Sequence, residues 1–305
     1  MTSVAPPTIE ALPPDPQGQG AVARLLARAR GSYRSWFFLA LLCVFALLAI
    51  APGLFATADP THTDLPARLL PPGSTHAGTY HLLGTDQLGR DVLSRVVYGS
   101  RVSLAISLTA VLGAGVIGSA LGITAAVLRG VGGAVVMRVA DMVLSIPFFL
   151  LAILTVVVLG PSLVNVVVVL ALVRWPRYAR IAFAQTLETR NRDFVRSAVA
   201  IGATPWRVVL RHIVPEVIPS IVVVATLELG LMVIYEASLS FIGLGVQPPD
   251  PSWGSMLSDG QKYVSTAWWL ATFPGVALFL LVLTVNMLGD FVRDQLDPSE
   301  RSARM

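Results

Sequence analysis

Long apolar blocks dominate the sequence and restrict the folds that are open to it. A block of about 20 mostly apolar residues can cross the hydrocarbon layer of a membrane as one helix. Only 13% of the residues are charged, about half the share that is usual in soluble domains. Six blocks of sufficient length occur, at about 36–56, 102–128, 135–159, 162–184, 213–235 and 267–290. The sequence therefore predicts an all-α polytopic membrane protein with six transmembrane helices.

The distribution of basic residues predicts the sidedness. If the N-terminus is cytoplasmic, 17 of the 22 basic residues fall on the cytoplasmic side, as the positive-inside rule requires. Both termini are therefore expected in the cytoplasm, and the basic net charge of +4 needs no nucleic-acid partner. Four regions follow: a cytoplasmic tail over 1–35, a first helix with an external loop over 36–101, a core membrane domain over 102–290 and a cytoplasmic tail over 291–305.

The most charged stretch, 185–212, lies between the fourth and fifth blocks. Asp193 is a good N-cap for a short helix, and Gly202 is typical of a helix C-terminus. Thr204 and Pro205 then predict the start of a second short helix. An apolar stripe at helical spacing on the first helix is formed by Phe194, Ala198 and Ile201. Such an amphipathic helix either lies in the headgroup layer of the membrane or docks on a partner.

The run FVRSAVAIGATPWRVVLRHIVPEVIP over 194–219 resembles the cytoplasmic EAA signature of binding-protein-dependent ABC importer permeases. Gly202 and His212 fall where that family has its glycine and a common histidine. The resemblance implies a type I ABC importer permease fold, with a coupling helix at about 193–204 that docks in a groove of an ATPase subunit. It assigns this coupling to Asp193, Phe194, Arg196, Ser197, Ala198, Ile201, Gly202, Ala203, Arg207 and His212.

The run departs from the signature in its first letters, because Arg196-Ser197-Ala198 stands where Glu-Ala-Ala is usual. If Asp193 is the N-cap, Arg196 is the third helical residue, where a glutamate would complete a capping box. An arginine there meets the positive end of the helix dipole, at a cost of roughly 0.3–1 kcal/mol. We therefore expect Asp193 or a carboxylate of the ATPase partner to contact Arg196.

Three further stretches resemble the second, or C-type, permease subunit of the dipeptide/oligopeptide/nickel family. They are HLLGTDQLGRDVLSRVVYGSRVSL over 81–104, DMVLSIPFFLLAI over 141–153 and EASLSFIGLGVQPPDPSWGSML over 236–257. Taken without the resemblance, the first stretch reads as a solvated loop whose charges pair among themselves. The charges concerned belong to Asp86, Arg90, Asp91 and Arg95.

The third of these stretches predicts an external gate. Gly243 and Gly245 interrupt the fifth helix, and irregular backbone at membrane depth is tolerated where it lines a cavity or is buried in protein. In the family that the stretch resembles, this segment shapes the external side of the transport pathway. The hypothesis places Glu228, Glu236, Ser240, Phe241, Gly243, Gly245 and Trp253 at this gate or along the pathway.

Two carboxylates, Asp141 and Glu228, lie inside the apolar blocks away from the block ends and are functional hypotheses by position. Asp141 is expected to pair with Arg138 or with a basic residue of the loop. Glu228 lies near the middle of the fifth block and has two interpretations. Its carboxylate either faces the pathway, where it meets the cationic amino end of a peptide, or bonds to a neighbouring helix.

The sequence predicts no chemistry of its own. The lone lysine, Lys262, lies outside any G-x-x-x-x-G-K-[ST] run, which a P-loop needs to bind phosphates. No cofactor is therefore expected on this chain, and ATP and Mg are expected on partner subunits. One cysteine, Cys43, and four scattered histidines predict no metal site, and no catalytic constellation marks the chain as an enzyme.

These patterns, with the resemblance, imply a permease subunit of an ATP-binding-cassette importer in the cell membrane. It is expected to move peptides, or a related cargo such as a nickel chelate, by coupling a partner's ATP hydrolysis to alternating access. The implied partners are a second homologous permease subunit in a heterodimer, one or two ATP-binding subunits and an external substrate-binding protein. The alternative is a self-sufficient secondary transporter that uses Asp141 and Glu228, although such carriers typically show internal repeats. A membrane-embedded enzyme is the third possibility.

Overall fold

A computed structural model of the chain describes residues 33–128 and 130–296. Of the two predicted tails, residues 1–32 and 297–305 lie outside the described residues. The described part forms ten α-helices, with a π turn between the seventh and the eighth at Val209–Ile213. The helices are α1 (Tyr33–Ile50), α2 (Val92–Leu128), α3 (Gly130–Ser145), α4 (Phe148–Leu159), α5 (Leu163–Arg190), α6 (Asp193–Ala200), α7 (Pro205–Val208), α8 (Val214–Phe241), α9 (Trp253–Gly260) and α10 (Trp269–Leu296).

Three of the helical runs in the described part are long and apolar enough to cross a membrane: α2, the continuous run Pro205–Phe241 that ends with α8, and Trp269–Asp294 of α10. The bent pair α3 and α4 makes a fourth if it counts as one span. The first predicted block gives a shorter apolar helix in α1, and α5 carries three arginines in its middle. Length and composition thus support three or four spans, and the six-span topology stays a prediction.

The first two predicted blocks have different boundaries in the structure. The first helix ends at Ile50, and a short 3₁₀ turn begins at Pro52, whose ring removes a backbone donor. The helix of the second block begins at Val92, ten residues before the predicted start at 102. The side chain of Asp91 caps this earlier start, because its Oδ2 accepts from the backbone N–H of Ser94 at 2.8 Å. Residues 92–101 are therefore helix, and the prediction of an external loop there was wrong.

The third block, predicted as one span over 135–159, is broken. The axes of α3 and α4 meet at 96° across Ile146 and Pro147. Proline lacks the N–H that an unbroken helix needs, and it also disfavours helical backbone in the residue before it. The ring of Phe148, the first residue of α4, stacks on Tyr235 of α8 with the centroids 3.9 Å apart. The bend thus directs α4 against α8.

The segment between α1 and α2 contains a β-hairpin that the all-α prediction lacked. Strand β1 (Ser74–His76) pairs antiparallel with β2 (Thr79–His81), with Thr75 opposite Tyr80. The two residues of the turn, Ala77 and Gly78, both have positive φ. A two-residue turn of this kind matches the twist of paired strands.

Small residues bring α2 and α5 into close contact at the centre of the fold. A Cβ atom on Gly118 would lie 2.3 Å from the carbonyl oxygen of Trp175, and one on Gly122 would lie 2.2 Å from that of Ala179. Such close backbone approach is typical of helix packing in membranes, where small residues replace a hydrophobic driving force. The buried cluster beside this contact draws on α2, α4, α5 and α8, so these helices form one packed unit.

Candidate functional site

The first short helix of the charged segment begins one residue earlier than predicted. Arg192 occupies the N-cap and makes no side-chain cap bond, so Asp193 is the first helical residue and its prediction as N-cap was wrong. The guanidinium of Arg192 instead pairs with Glu188 of α5 at 2.9 Å and with Glu216 of α8 at 3.1 Å. The hydrogen bond to Glu188 raises the pKa of Arg192. One arginine thus connects the start of α6 to the ends of two long helices.

The predicted ends of the two short helices are confirmed. Gly202 has a φ of +88°, a conformation that glycine adopts readily at helix C-termini. The backbone N–H of Ala203 donates to the carbonyl of Ala198 at 3.0 Å and closes the helix end. Thr204 is the N-cap of α7, and Pro205 is its first residue.

The apolar stripe predicted on α6 is divided between two surfaces. Val195 and Ala198 are buried, and Val195 packs in a cluster with Ile213 and Val217. Four large apolar side chains face outward, and we call them the outer loop surface: Phe194 (44% exposed), Val199 (56%), Ile201 (87%) and Trp206 (70%). Ala198 therefore belongs to the packed side, and Phe194 and Ile201 do not. The two short helices rest on the core and leave this apolar surface uncovered.

The remaining predicted coupling residues surround the outer loop surface. Ser197 and Arg207 are exposed, and Ala203 is half-buried. The ring of His212 lies 6.2 Å from that of Phe194, measured between centroids. Arg196 is now the fourth helical residue and lines a mostly apolar cavity of about 540 Å³ beneath α6. Among residues 33–128 and 130–296, no carboxylate forms an ion pair with it, so Asp193 does not supply the expected contact and a partner's carboxylate stays a prediction.

Glu228 forms the central polar contact among the long helices. Its carboxylate is buried and accepts two hydrogen bonds from Arg174 of α5, from Nε at 2.8 Å and from Nη2 at 2.6 Å. Arg177, half-exposed, places its Nε 3.1 Å from the same carboxylate. The Arg174 guanidinium also lies over the ring of Tyr235, 5.4 Å from its centroid. Of the two interpretations of Glu228, the structure favours the bond to a neighbouring helix.

Asp141, the second carboxylate that the sequence singled out by position, pairs with a residue that the sequence did not suggest. Asp141 of α3 accepts from Arg180 of α5 at 2.6 Å, and both side chains are exposed. The predicted partner, Arg138 or a basic residue of the loop, was therefore wrong, because the bend after α3 sets this helix beside α5. Arg174 and Arg177 were also missed as site residues. Arginines inside an apolar block, with a glutamate inside another block, are the signal that indicates such a pair.

The predicted gate residues divide into a buried group and an exposed group. The buried carboxylate of Glu236 accepts hydrogen bonds from the hydroxyls of Ser103 and Ser240, both at 2.8 Å. The hydroxyl of Ser240 also accepts from the backbone N–H of Val246 at 3.2 Å. A Cβ on Gly245 would collide with that hydroxyl at 2.0 Å, so this turn needs a glycine. Ser103 had no signal in the sequence beyond its place on a long helix.

The rest of the gate prediction concerns the loop after α8. The helix ends at Phe241, and Gly243 follows with a φ of +82°, so the predicted interruption is confirmed. Phe241 and Gly243 are exposed at this end. Trp253 is buried and anchors the loop, because its Nε1 donates to the carbonyl of Val96 at 2.9 Å. The gate residues therefore do not all converge on one point.

The charges of 81–104 pair locally. Asp86 contacts Nε of Arg90 at 2.7 Å and Nε of Arg95 at 3.5 Å. Asp91 pairs with His81 at 2.9 Å and accepts from the hydroxyl of Thr57. Within the described ranges, no group of three or more His, Cys, Asp and Glu side chains is arranged to hold a metal ion. The charges of this stretch therefore pair among themselves, as the interpretation without the resemblance predicted, but they are buried, so the prediction of a solvated loop was wrong.

Comparison with known proteins gives a consistent result. The family model described as "Binding-protein-dependent transport system inner membrane component" matches residues 118–302. The chain is 39% identical, over 94% of its length and 95% of the relative, to the probable D,D-dipeptide transport system permease protein DdpC of Escherichia coli K12. It is 38% identical to the di/tripeptide transport system permease protein DppC of Pseudomonas aeruginosa, over 85% of this chain and 88% of the relative.

Two further similarities extend this result. The nickel transport system permease protein NikC of Escherichia coli K12 is 39% identical over 85% of this chain and 92% of the relative. Among solved structures, an inward-facing MetNI methionine ABC transporter chain aligns with a TM-score of 0.54 and 25% identity, covering 66% of this chain and 96% of that one. The similarity to the curated relatives thus extends beyond the part that the family model matches.

Proposed function

The chain belongs to the family of inner membrane components of binding-protein-dependent transport systems, and we propose that it imports peptides or a related small cargo. It is a multi-pass permease subunit of an ABC importer and not an enzyme, since ATPase activity in such systems resides in separate subunits. Two relatives named for dipeptide or di/tripeptide transport support a peptide cargo. The relative named for nickel transport supports the alternative, a metal chelate.

We propose an assembly that supplies what this chain lacks. A second homologous permease completes a heterodimer, one or two ATP-binding subunits carry ATP and Mg, and an external binding protein delivers the cargo. Six spans with both termini in the cytoplasm are supported by the six apolar blocks and by the excess of arginines on that side. In this topology the outer loop surface faces the cytoplasm, where the ATP-binding subunits are expected.

The outer loop surface is the observation that carries the proposed coupling. Phe194, Ile201 and Trp206 expose apolar area on a segment otherwise rich in arginine. Exposed apolar patches with a polar rim mark interaction sites, and an apolar helix face is suited to a groove on a partner. We therefore assign this surface to docking on an ATP-binding subunit, with Ser197, Arg207 and His212 at its rim.

The same segment is built to transmit motion. Arg192 connects α6 to the end of α5 through Glu188 and to the start of α8 through Glu216. Beneath α6, Val195 packs into the apolar cluster shared with α8. A displacement of α6 by the ATP-binding subunit therefore moves both long helices. Alternating access follows if the nucleotide state biases two discrete arrangements of these helices.

The experiment that tests this coupling is co-purification of the ATP-binding subunit with an Ile201→Asp variant. Full burial of an isoleucine stabilises a contact by roughly 1.5–3 kcal/mol, so we expect at least about a tenfold loss of affinity. Tyr80→Asp is the matched control, because Tyr80 is an exposed apolar residue of the hairpin outside this surface. Equal recovery of the ATP-binding subunit with both variants would refute the docking assignment.

The alternative of a self-sufficient secondary transporter has no observation in its favour. It requires Asp141 and Glu228 as an ion relay, but Asp141 pairs with Arg180 and Glu228 pairs with Arg174 and Arg177. Uptake by the purified chain alone in liposomes would reverse this conclusion.

A further inference from the structure

A polar cavity of about 330 Å³ lies at the end of α8, beside the hydrogen bonds of Glu236 and Ser240. Three segments contribute to its wall, within 87–95, 240–250 and 255–259. Its volume is at the small end of the range of about 300–1,000 Å³ that is usual for small-molecule sites. We call it the polar cavity.

One side of the polar cavity presents two buried guanidinium groups with unused donors. The side chains of Arg90 and Arg95 are 8% and 5% exposed. Asp86 contacts Nε of both, and Nη1 of Arg95 donates to the carbonyl of Pro60 at 3.2 Å. In the described part of the chain, Nη1 and Nη2 of Arg90 and Nη2 of Arg95 donate to no protein acceptor. These nitrogens are not among the fully buried polar atoms without a partner, so they are accessible to a ligand, and this side suits an anionic group that accepts several bonds at once.

The cavity also has two carboxylates that complement this charge. Asp250 is exposed at the mouth, and Asp259 is half-buried further along the wall. Among the described residues, neither carboxylate accepts a hydrogen bond or forms an ion pair, although the charge of Asp259 attracts that of Arg95 at longer range. A protonated amine, with its three donors and positive charge, suits such acceptors.

We propose that the polar cavity binds a small zwitterionic peptide, with its carboxylate on Arg90 and Arg95 and its ammonium group at Asp250 and Asp259. The inference rests on the proposed import of peptides and names a site on this chain for that cargo. The cavity volume favours a peptide of two or three residues. Specificity follows from charge at both ends, because a peptide blocked at either end loses a charge-assisted hydrogen bond to the arginines or to the carboxylates.

The test uses the assembled transporter with a thiol reporter in the cavity. Cys43 is the only cysteine of the chain, so a Cys43→Ser, Ser258→Cys variant carries a single thiol on the cavity wall. Dialanine should slow alkylation of this thiol in a saturable manner when no binding protein is present. N-acetyl-dialanine and dialanine amide should each need roughly tenfold or higher concentrations, since each loses a charged hydrogen-bonding group.

A matched pair of variants assigns the ammonium contact. With Asp250→Asn and Asp259→Asn combined, protection by dialanine should weaken at least about tenfold and no longer differ from that by N-acetyl-dialanine. Asp59→Asn, at an exposed aspartate that does not line the cavity, should leave protection unchanged. Leu88→Cys in the Cys43→Ser background provides a second reporter on the wall, which repeats the measurement if Ser258→Cys does not assemble.

The outcomes separate this proposal from the proposed function. If dialanine protects neither Ser258→Cys nor Leu88→Cys from alkylation while the transporter imports dialanine, the proposed site is wrong and peptide import stands. Protection without import supports the site and contradicts the proposed cargo. Protection by the cargo-free binding protein, with none by dialanine, would also overturn the proposal, because the cavity would then receive a segment of that protein.

Discussion

Helix α8 carries two buried glutamates whose carboxylates have different kinds of hydrogen-bond partner, charged in one case and neutral in the other. Glu228 and Glu236 are both almost fully buried, just over two helical turns apart. Glu228 faces two arginines of α5, one of them bidentate. Glu236 has no cationic partner among the described residues and accepts from Ser103 and Ser240. One helix thus holds a charged contact and a neutral-donor contact within the same packed unit.

The two contacts differ in the free energy that is lost when one partner moves away. A desolvated ion pair is strongly destabilised when one partner leaves, because the other charge stays buried and unpaired. A hydroxyl that leaves a carboxylate takes no charge with it and costs less. The Glu228 contact therefore fixes α8 to α5, nearer to α6 and α7 than the Glu236 contact is. The Glu236 contact joins α8 to α2 and, through Ser240, to the loop beside the polar cavity.

The largest effect is expected from Glu228→Gln, which leaves Arg174, whose side chain is only 13% exposed, without its counter-charge. We expect a loss of about 3–5 kcal/mol in the free energy of unfolding, measured by thermal or denaturant unfolding of the purified transporter. Glu216→Gln removes a carboxylate that is exposed and serves as the control, with an expected change within about 1 kcal/mol.

A double variant tests whether the loss comes from the unpaired charge. Adding Arg174→Gln to Glu228→Gln should recover part of the stability, because the buried cation is then also removed. If Glu228→Gln unfolds like the wild type, the contact does not hold α8 to α5 and the comparison with Glu236 loses its basis.

Gly122→Ala should cause the next largest loss of stability, because it disturbs the packing of α5 against α2. The added Cβ would lie 2.2 Å from the carbonyl oxygen of Ala179, and overpacking of this kind costs typically about 1–3 kcal/mol. Arg174 also lies on α5, so the losses of stability from Gly122→Ala and Glu228→Gln should not be additive in a double-mutant cycle. The losses from Gly122→Ala and Ser103→Ala should be additive. Gly132→Ala is the control, because a Cβ there meets nothing within 4 Å, and its stability should not fall.

The sequence allowed good prediction of features that depend on local chemistry. Gly202, Thr204 and Pro205 mark helix ends where the structure has them, because caps and glycine conformations are decided by a few adjacent residues. The interruption after Phe241 and the apolar blocks are local in the same sense. The break at Pro147 was also visible in the sequence, but the apolar character on both sides favoured one span over two helices at 96°.

Features that depend on tertiary contacts escaped prediction. The pairing of Arg174 with Glu228 joins residues 54 positions apart, and no local pattern indicates which arginine reaches which carboxylate. The early start of α2 at Val92 was missed for the same reason, because it also depends on contacts between distant parts of the chain. The polar character of the stretch around Ser94 and Arg95 favoured a loop, but their side chains donate to Asp91 and to the carbonyl of Pro60 within the folded structure.

A smaller effect is expected at the Glu236 contact, and the two serines should differ. Ser103→Ala removes one hydrogen bond to the carboxylate, which should cost roughly 1–2 kcal/mol. Ser240→Ala removes a hydrogen bond to the same carboxylate and also the acceptor for the N–H of Val246, so its loss should be the larger. Unfolding of both variants under identical conditions measures the difference. A loss as large as that of Glu228→Gln at either serine would contradict the distinction between the two contacts.

The smallest effect is expected at the exposed pair of Asp141 and Arg180, which has the same chemistry as the Glu228 contact without its burial. The two atoms lie 2.6 Å apart, as close as those of Glu228 and Arg174, but the side chains are 41% and 55% exposed. Exposed ion pairs contribute about 0–1 kcal/mol, so Asp141→Asn should barely change unfolding, and its cycle with Arg180→Gln should show weak coupling. Coupling as strong as that between Glu228 and Arg174 would mean that burial does not set the strength of these contacts. The argument that α8 is held at Glu228 because its charges are desolvated would then fail.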